Sequence, residues 1–103
     1  MIVQDVIRAY ADCGRPVGDV EVEVVLDEVN DHYELTYSGW DGVYRIEGSV
    51  LHVDIRDDKV WIQHDGTEDG VAEELVRRGI PRERIVLAFK HPSARPHTGF
   101  AVA

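Results

Sequence analysis

Histidine, carboxylate and amide side chains that could do acid–base chemistry occur close together in the middle of the chain. His52 and Asp54 lie on one predicted strand, Gln63 lies on the next, and Asp65 directly follows it. Catalysis by such groups needs a concave, partly dry pocket that shifts their pKa values. An open sheet face supplies no such pocket, and no serine or cysteine nucleophile is paired with the four residues. We therefore interpret them as a polar ladder that helps set strand pairing, and we predict no catalytic residue.

The five histidines do not show the spacing of a metal site. His52 and His64 lie on neighbouring predicted strands, but the predicted register places them on opposite faces of the sheet. His91 and His97 lie in a loop without a matching cysteine, and no segment resembles a zinc-binding motif. We predict neither a metal site nor a cofactor.

A glycine-containing segment before the second predicted helix invites comparison with phosphate-binding loops, which place glycines at helix starts. Here Gly66 and Gly70 stand among acidic residues that would repel a phosphate, and the lysine of a P-loop is missing. The segment instead predicts a helix start, with Asp65 or Thr67 as its cap.

Trp61 is predicted to lie on the polar side of its strand, where a large aromatic side chain is unexpected. Either a helix covers it or a partner protein does. In the second case Trp61 would anchor an interface with His52, Asp54, Gln63 and Asp65 around it. The sequence leaves both alternatives open.

Hydrophobic periodicity gives the order of the elements that hold these residues. Helical spacing predicts helices over residues 2–12 and about 68–78, the first broken by Gly14, Pro16 and Gly18 and the second ended by Gly79. Strands are predicted over residues 20–26, 33–38, 43–56, 59–64 and 85–89. Strands joined by tight turns must be antiparallel. The predicted fold class is therefore α+β, in a single domain of residues 1–103: an N-terminal helix, a four-stranded antiparallel meander, a second helix, a short C-terminal strand and a docked apolar tail.

Turn signals set the predicted strand register. Asp41-Gly42 and Asp57-Asp58 are predicted as two-residue turns. The apolar positions of the third strand change parity midway, which predicts a bulge near Gly48-Ser49. Counting back from the second turn, the predicted partners are Ile55 with Val60, Asp54 with Trp61, Val53 with Ile62, His52 with Gln63, Leu51 with His64, and Val50 with Asp65.

The net charge of −9 is unevenly distributed along the chain. Residues 1–76 carry 5 basic and 19 acidic side chains, whereas residues 77–103 carry 6 basic and one acidic. An acidic protein is poorly suited to strong direct DNA binding. The basic quarter is a candidate edge for a second partner, made of Arg77, Arg78, Arg82, Arg84, Lys90 and Arg95. Without a membrane-length apolar run or a secretory signal, we expect a cytoplasmic protein with no membrane contact.

An ordered series of motifs runs from about Asp19 to the last residue. Its segments are Gly39-Trp40, Arg45-Ile46, Leu51-His52-Val53-Asp54-Ile55, Lys59-Val60-Trp61-Ile62-Gln63, Asp65-Gly66-Thr67-Glu68, Gly70-Val71-Ala72-Glu73-Glu74-Leu75, Gly79-Ile80-Pro81, Ile85-Val86-Leu87-Ala88-Phe89 and Phe100-Ala101-Val102-Ala103. This series at this spacing resembles the XisI family, the controlling factors for excision of the fdxN DNA element.

The resemblance implies a role in site-specific excision in which a separate recombinase cuts and joins the DNA. It also implies a protein partner, XisH, which resembles restriction-endonuclease-like nucleases. Our leading hypothesis is a non-enzymatic regulator that binds a XisH-like protein. The alternatives are an antitoxin-like or immunity-like inhibitor of that nuclease, a direct DNA-binding accessory factor and, least favoured, an enzyme. We also expect self-association, or association with the partner, through the sheet around Trp61.

Overall fold

A mixed sheet carries the helices on one face, in a computed structural model that describes residues 1–13 and 18–103. The elements of these residues are α1 (Ile2–Cys13), β1 (Asp19–Asp27), β2 (His32–Asp41), β3 (Tyr44–Arg56), β4 (Lys59–Asp65), α2 (Val71–Arg77) and β5 (Ile85–Leu87). Strands β1 to β4 form an antiparallel meander, and β5 pairs in parallel with β4. The predicted α+β class and element order are confirmed. The predicted helix break at Gly14 and Pro16 lies outside the described residues.

Both helices pack their apolar stripes against the same face of the sheet. In α1, Val3, Val6 and Ile7 are each at most 2% exposed, as the helical spacing of these residues predicts. They meet the inward side chains of the strands, of which Leu51 and Ile62 are completely buried. Burying one such side chain contributes about 1.5–3 kcal/mol, so this single core supplies the main driving force for folding. No helix of the described residues is long and apolar enough to cross a membrane.

Helix α2 is shorter than predicted because it begins three residues later in the chain. Gly70 has φ 84, which a helix cannot include, so the helix begins at Val71 rather than at Glu68. The carboxylate of Asp65 accepts hydrogen bonds from the backbone N–H groups of Thr67 (2.9 Å) and Val71 (2.8 Å). Asp65 therefore satisfies the helix start, as predicted, although from six residues upstream rather than from the N-cap position.

The predicted end of α2 is confirmed. Gly79 adopts the left-handed φ of 111 and donates its N–H to the Val76 carbonyl at 3.0 Å. Ile80 folds back and donates to the carbonyl of Leu75 at 3.0 Å. These two bonds form a Schellman motif, which satisfies carbonyl groups that the last helical turn leaves unpaired.

The two predicted tight turns have different outcomes. Asp57 and Asp58 form the predicted loop, with φ values of 52 and 61 that match a type I′ turn. The other hairpin closes one residue later than predicted, because Asp41 pairs with Tyr44 and the loop is Gly42-Val43. Gly42 has φ 61 at the first loop position, which is where a type II′ turn needs glycine.

The predicted bulge in β3 is confirmed beside the predicted site. Leu35 pairs with Leu51 while Thr36 pairs with Ser49, so Val50 is the extra residue. The extra residue keeps the apolar side chains of both halves of β3 on the same face of the sheet, where strict alternation would place them on opposite faces.

A second bulge, in β4, was not predicted and changes the register beyond it. Gln63 is the extra residue, since the pairs on either side of it are His52 with His64 and Val53 with Ile62. The predicted partners of Ile55, Asp54 and Val53 are confirmed. The predicted pairs of His52 with Gln63, Leu51 with His64 and Val50 with Asp65 are wrong, because Leu51 pairs with Asp65 and His52 with His64. A slip of one residue moves a side chain to the other face, so Asp65 can reach the start of α2.

The β3–β4 turn gives a stability prediction. Both of its residues have positive φ without being glycine, whereas Asn-Gly is strongly preferred in type I′ turns. We expect Asp57→Asn with Asp58→Gly to stabilise the fold by up to about 1 kcal/mol, which raises the Tm by roughly 4–8 °C in a domain of this size. Thermal melting followed by circular dichroism measures it. Val43→Gly is the matched control, since Val43 does not have positive φ, and it should lower the Tm. Equal shifts in both variants would contradict the assignment of strain to the aspartates.

Candidate functional site

The described helices leave one face of the sheet uncovered, and this open face carries mostly polar side chains. Alternation along each strand and the observed register assign its members. The open face consists of Asp19, Glu21, Glu23, Val25 and Asp27 on β1; His32, Glu34, Thr36, Ser38 and Trp40 on β2; Arg45, Glu47, Ser49, His52, Asp54 and Arg56 on β3; and Trp61, Gln63 and His64 on β4.

Asp54 lies at the centre of a hydrogen-bond network on this face and is only 7% exposed. Its Oδ1 accepts hydrogen bonds from Nδ1 of His32 at 2.8 Å and Nε2 of His52 at 3.3 Å. Its Oδ2 accepts from Nη2 of Arg56 at 3.2 Å and Nε2 of Gln63 at 3.3 Å. One buried carboxylate thus links β2, β3 and β4, and every donor is a side chain of the open face.

The network shifts the protonation of its members. Burial disfavours the charged form of Asp54, but the hydrogen bond from His32 and the charge of His52 outweigh burial, so the pKa of Asp54 is lowered. The hydrogen bond to Asp54 raises the pKa of His32, against the effect of burial and with help from Glu34. Glu34 Oε2 lies 3.1 Å from His32 Nε2, so both ring nitrogens of His32 face carboxylate oxygens.

From the sequence, no role is predicted for His32 and Glu34. The pairing of the second and third strands is the signal that could have placed them next to Asp54 and His52. The hairpin of β2 and β3 places His32 opposite Asp54 and Glu34 opposite His52. Among the strand histidines, we compared His52 with His64 from the sequence and placed the two on opposite faces. That placement is wrong, because the β4 bulge makes them cross-strand partners.

The candidate residues from the sequence are only partly brought together. His52, Asp54 and Gln63 meet in the network, and Trp61 pairs with Asp54 across β3 and β4. Asp65 does not join them, because its two oxygens hold Thr67 and Val71 at the start of α2.

Trp61 is covered by a segment that the sequence did not suggest. The Arg95 guanidinium lies 5.8 Å from the centre of the indole ring. Arg95 also donates to the carbonyl groups of Lys90 (3.1 Å), Ala88 (3.3 Å) and Val102 (3.4 Å), which fixes the C-terminal segment in place. The indole Nε1 is buried and has no hydrogen-bond partner among the described residues. From the sequence, we considered a helix or a partner protein as the cover of Trp61, and we did not consider the C-terminal segment that Arg95 holds there.

The docked apolar tail is confirmed. Ala101 forms a parallel bridge with Val86 and donates its N–H to the carbonyl of Ile85 at 2.8 Å. Phe100 packs against the core, with the Arg82 guanidinium 5.0 Å from its ring centre. The tail therefore pairs along the outer edge of β5, with Phe100 directed to the core on the helix side of the sheet.

Three of the six side chains of the candidate basic edge are paired with acidic residues of the same molecule. Arg77 and Arg78 form ion pairs with Glu74 at 2.7 Å and 2.9 Å, and hydrogen bonds from Arg78 and then Arg77 lower the pKa of Glu74. Arg82 pairs with Glu73 at 2.9 Å. Of the six candidates, Arg84 and Lys90 form no ion pair with other described residues, and Arg95 binds backbone carbonyl groups instead.

A shallow depression of about 500 Å³ occupies the open face beside the Asp54 network. Its lining residues are Glu23, Glu34, Thr36, Tyr37, Ser38, Arg45, Glu47, Gly48 and Ser49. Glu23 and Glu47 are exposed, and Arg45 offsets part of their charge through a 3.4 Å contact with Glu47. Trp40, 51% exposed, stands near its hairpin end with the Arg45 guanidinium 5.3 Å from the ring centre. The acidic groups of the depression therefore lie beside an accessible aromatic side chain.

With this geometry in hand, comparison with known proteins identifies the family. A model of the family described as "XisI protein" matches residues 1–102. The chain belongs to the XisI family. The resemblance inferred from the motifs is thereby confirmed, and the match also includes α1, which precedes them. No curated protein matches the sequence.

Two solved structures show the same fold as this XisI-family chain. A XisI-like protein from Anabaena variabilis ATCC 29413 is 41% identical, with a TM-score of 0.92, over 99% of this chain and 94% of that one. The fdxN element excision controlling factor XisI from the same strain is 35% identical, with a TM-score of 0.86, over 99% of this chain and 93% of that one. The similarity therefore extends over nearly the whole length of this chain and of each relative.

Arg95→Ala tests whether Arg95 holds the tail of this XisI-family protein over Trp61. We expect a loss of about 1–2 kcal/mol of stability, since one charged donor with several acceptors is removed. In a Trp40→Phe background Trp61 is the remaining tryptophan, and its fluorescence emission should shift to longer wavelength as water reaches the indole. Arg84→Ala is the control, because Arg84 is exposed and forms no ion pair with described residues. Identical emission in the two variants would show that Arg95 does not secure the tail.

Proposed function

We propose that this XisI-family protein is a non-enzymatic regulator of site-specific DNA-element excision that acts by binding a protein partner through the open face. One structural relative is itself an fdxN element excision controlling factor. The observation that carries the proposed mode of action is the acidic depression with Trp40 beside it. A XisH-like protein is the proposed partner.

The chemistry of the open face supports protein binding over catalysis. Its depression is wide and shallow, whereas catalytic groups need a closed site that excludes water. Acidic groups around such a surface attract a basic partner over a distance and fix its orientation. Exposed aromatic side chains supply the contact area that makes an interface stable. Trp40 is suited to that role because half of it is already accessible.

The interface proposed from the sequence occupies the β4 end of the same face. His52, Asp54 and Gln63 lie there as one network, next to Trp61. Arg95 restricts access to Trp61, so a partner that contacts this tryptophan has to displace or include the C-terminal segment. We therefore propose the acidic depression as the first contact and Trp61 as part of the interface rim.

Charge removal in the depression tests the proposed partner surface. Glu23→Gln with Glu47→Gln replaces two exposed carboxylates by amides of the same shape. We expect binding of the XisH-like protein to weaken by about tenfold at low salt, mainly through slower association, and the salt dependence of the association rate to fall. Titration calorimetry and stopped-flow fluorescence measure the two effects. Light scattering on the isolated chain reports whether the same face also supports self-association.

The matched control for this experiment is Glu68→Gln with Asp69→Asn. Both carboxylates are exposed, but they lie before α2 and outside the open face. The control should bind like the unmodified protein. If both double variants weaken binding equally, net charge rather than the depression determines affinity. An absence of binding by the unmodified chain at micromolar concentration would contradict the partner proposal itself.

Inhibition of a nuclease partner is the second candidate function, and the acidity of the open face favours it. An acidic surface can occupy the basic groove with which a nuclease holds DNA. We expect one equivalent of this protein to abolish DNA cleavage by the XisH-like partner, and Glu23→Gln with Glu47→Gln to restore part of the cleavage. Cleavage that persists in a demonstrated complex would exclude inhibition while leaving regulation by binding intact.

A gel shift with the isolated chain at low salt would instead support the third possibility, direct DNA contact.

A further inference from the structure

We propose that His32, His52 and Asp54 form a binding site for a divalent transition-metal ion, with Zn²⁺ as the first choice. The proposal concerns the chain by itself and does not depend on the partner. It rests on three donor side chains that two neighbouring strands bring to one point on the open face. The potential ligand atoms of the three residues lie within 4.8 Å of one another.

The donor atoms already have nearly the spacing that an ion needs. A tetrahedral zinc ion with bonds of about 2.0–2.1 Å holds neighbouring ligand atoms roughly 3.3 Å apart. Oδ1 of Asp54 lies 2.8 Å from Nδ1 of His32 and 3.3 Å from Nε2 of His52. An ion would take the place of the proton that His32 and Asp54 share, and the two imidazole rings would turn so that their nitrogen atoms point at the ion rather than at Oδ1. Two imidazoles and one carboxylate are a donor set that zinc, nickel, cobalt and ferrous iron accept.

The groups around the three residues match the outer shell of a metal site. A histidine that binds a metal commonly donates its other ring N–H to a carboxylate, which fixes the ring. His32 Nε2 has that partner in Oε2 of Glu34, at 3.1 Å. On Asp54, Arg56 and Gln63 hold Oδ2 and leave Oδ1 directed at the two histidines. The carboxylate is therefore oriented as a one-oxygen ligand before any ion arrives.

Access and charge are also compatible with an ion. The side chains of His32 and His52 are 33% and 31% exposed, so an ion held by the triad keeps a coordination position for water or another ligand. Arg56 is the unfavourable neighbour, but it contacts the far oxygen of Asp54 and is 60% exposed, so solvent screens its charge. The carboxylates of the open face and a net charge of −9 favour cation capture.

The competing explanation is that Asp54 only makes hydrogen bonds to the two histidines. The two explanations differ when Zn²⁺ or Co²⁺ is added to the full chain after treatment with a chelator. We expect calorimetry and native mass spectrometry to find about one ion per chain, and Zn²⁺ to raise the Tm. Bound Co²⁺ should give the strong visible absorption of four-coordinate geometry.

Variants assign the binding to these residues. His32→Ala and His52→Ala should each abolish saturable binding and the Co²⁺ absorption while keeping the circular dichroism of the folded chain. Glu34→Gln should weaken binding by about 10-fold or more, the usual effect of losing an outer-shell partner. His97→Ala, which alters an exposed histidine in the C-terminal loop, is the control and should bind normally. The proposal is overturned if neither ion binds at micromolar concentration, or if His32→Ala and His52→Ala bind as well as the control.

Discussion

The fold depends on one constraint: the described helices can bury only one face of the sheet. The short helices that the structure describes both pack on one face, where the meander has its buried side chains, among them Tyr33, Leu51 and Ile62. The opposite face is then in contact with solvent, and most of its positions hold polar residues. At Trp61 and Val86 the C-terminal segment folds over apolar groups on that face, whereas Trp40, at the β2–β3 hairpin, stays half-exposed. The position of the open face thus follows from what the helices cannot reach.

Bulges allow the long strands to serve both faces. The extra residue Val50 restores the apolar phase of β3 after its exposed hairpin end. The extra residue Gln63 separates two functions on β4, because Gln63 itself bonds to Asp54 on the open face whereas Asp65 turns to the start of α2. Without that shift, one of these groups would lie on the wrong side of the sheet.

Glu34 connects the two proposals for the open face. It lines the acidic depression and also accepts a hydrogen bond from His32, beside the Asp54 network. A partner seated in the depression therefore lies next to the histidine cluster. Burial of a carboxylate is unfavourable unless charged or donor groups surround it, and Asp54 meets this condition with donors from three strands. The ionisable side chains around Asp54 are thus grouped on the open face, where a partner can reach them.

The sequence by itself determined the elements, the fold class, the end of α2 at Gly79, the β3–β4 turn and the family, because these depend on short-range periodicity, turn chemistry and ordered motifs. Tertiary structure alone decided which residues meet. A bulge of one residue in β4 left no clear trace in the alternation, yet it moved Asp65 away from the predicted site. His32 joined Asp54 through the β2–β3 pairing, and Arg95 reached Trp61 from the tail. Such contacts depend on register and on where a distant segment docks, and local residue preferences specify neither.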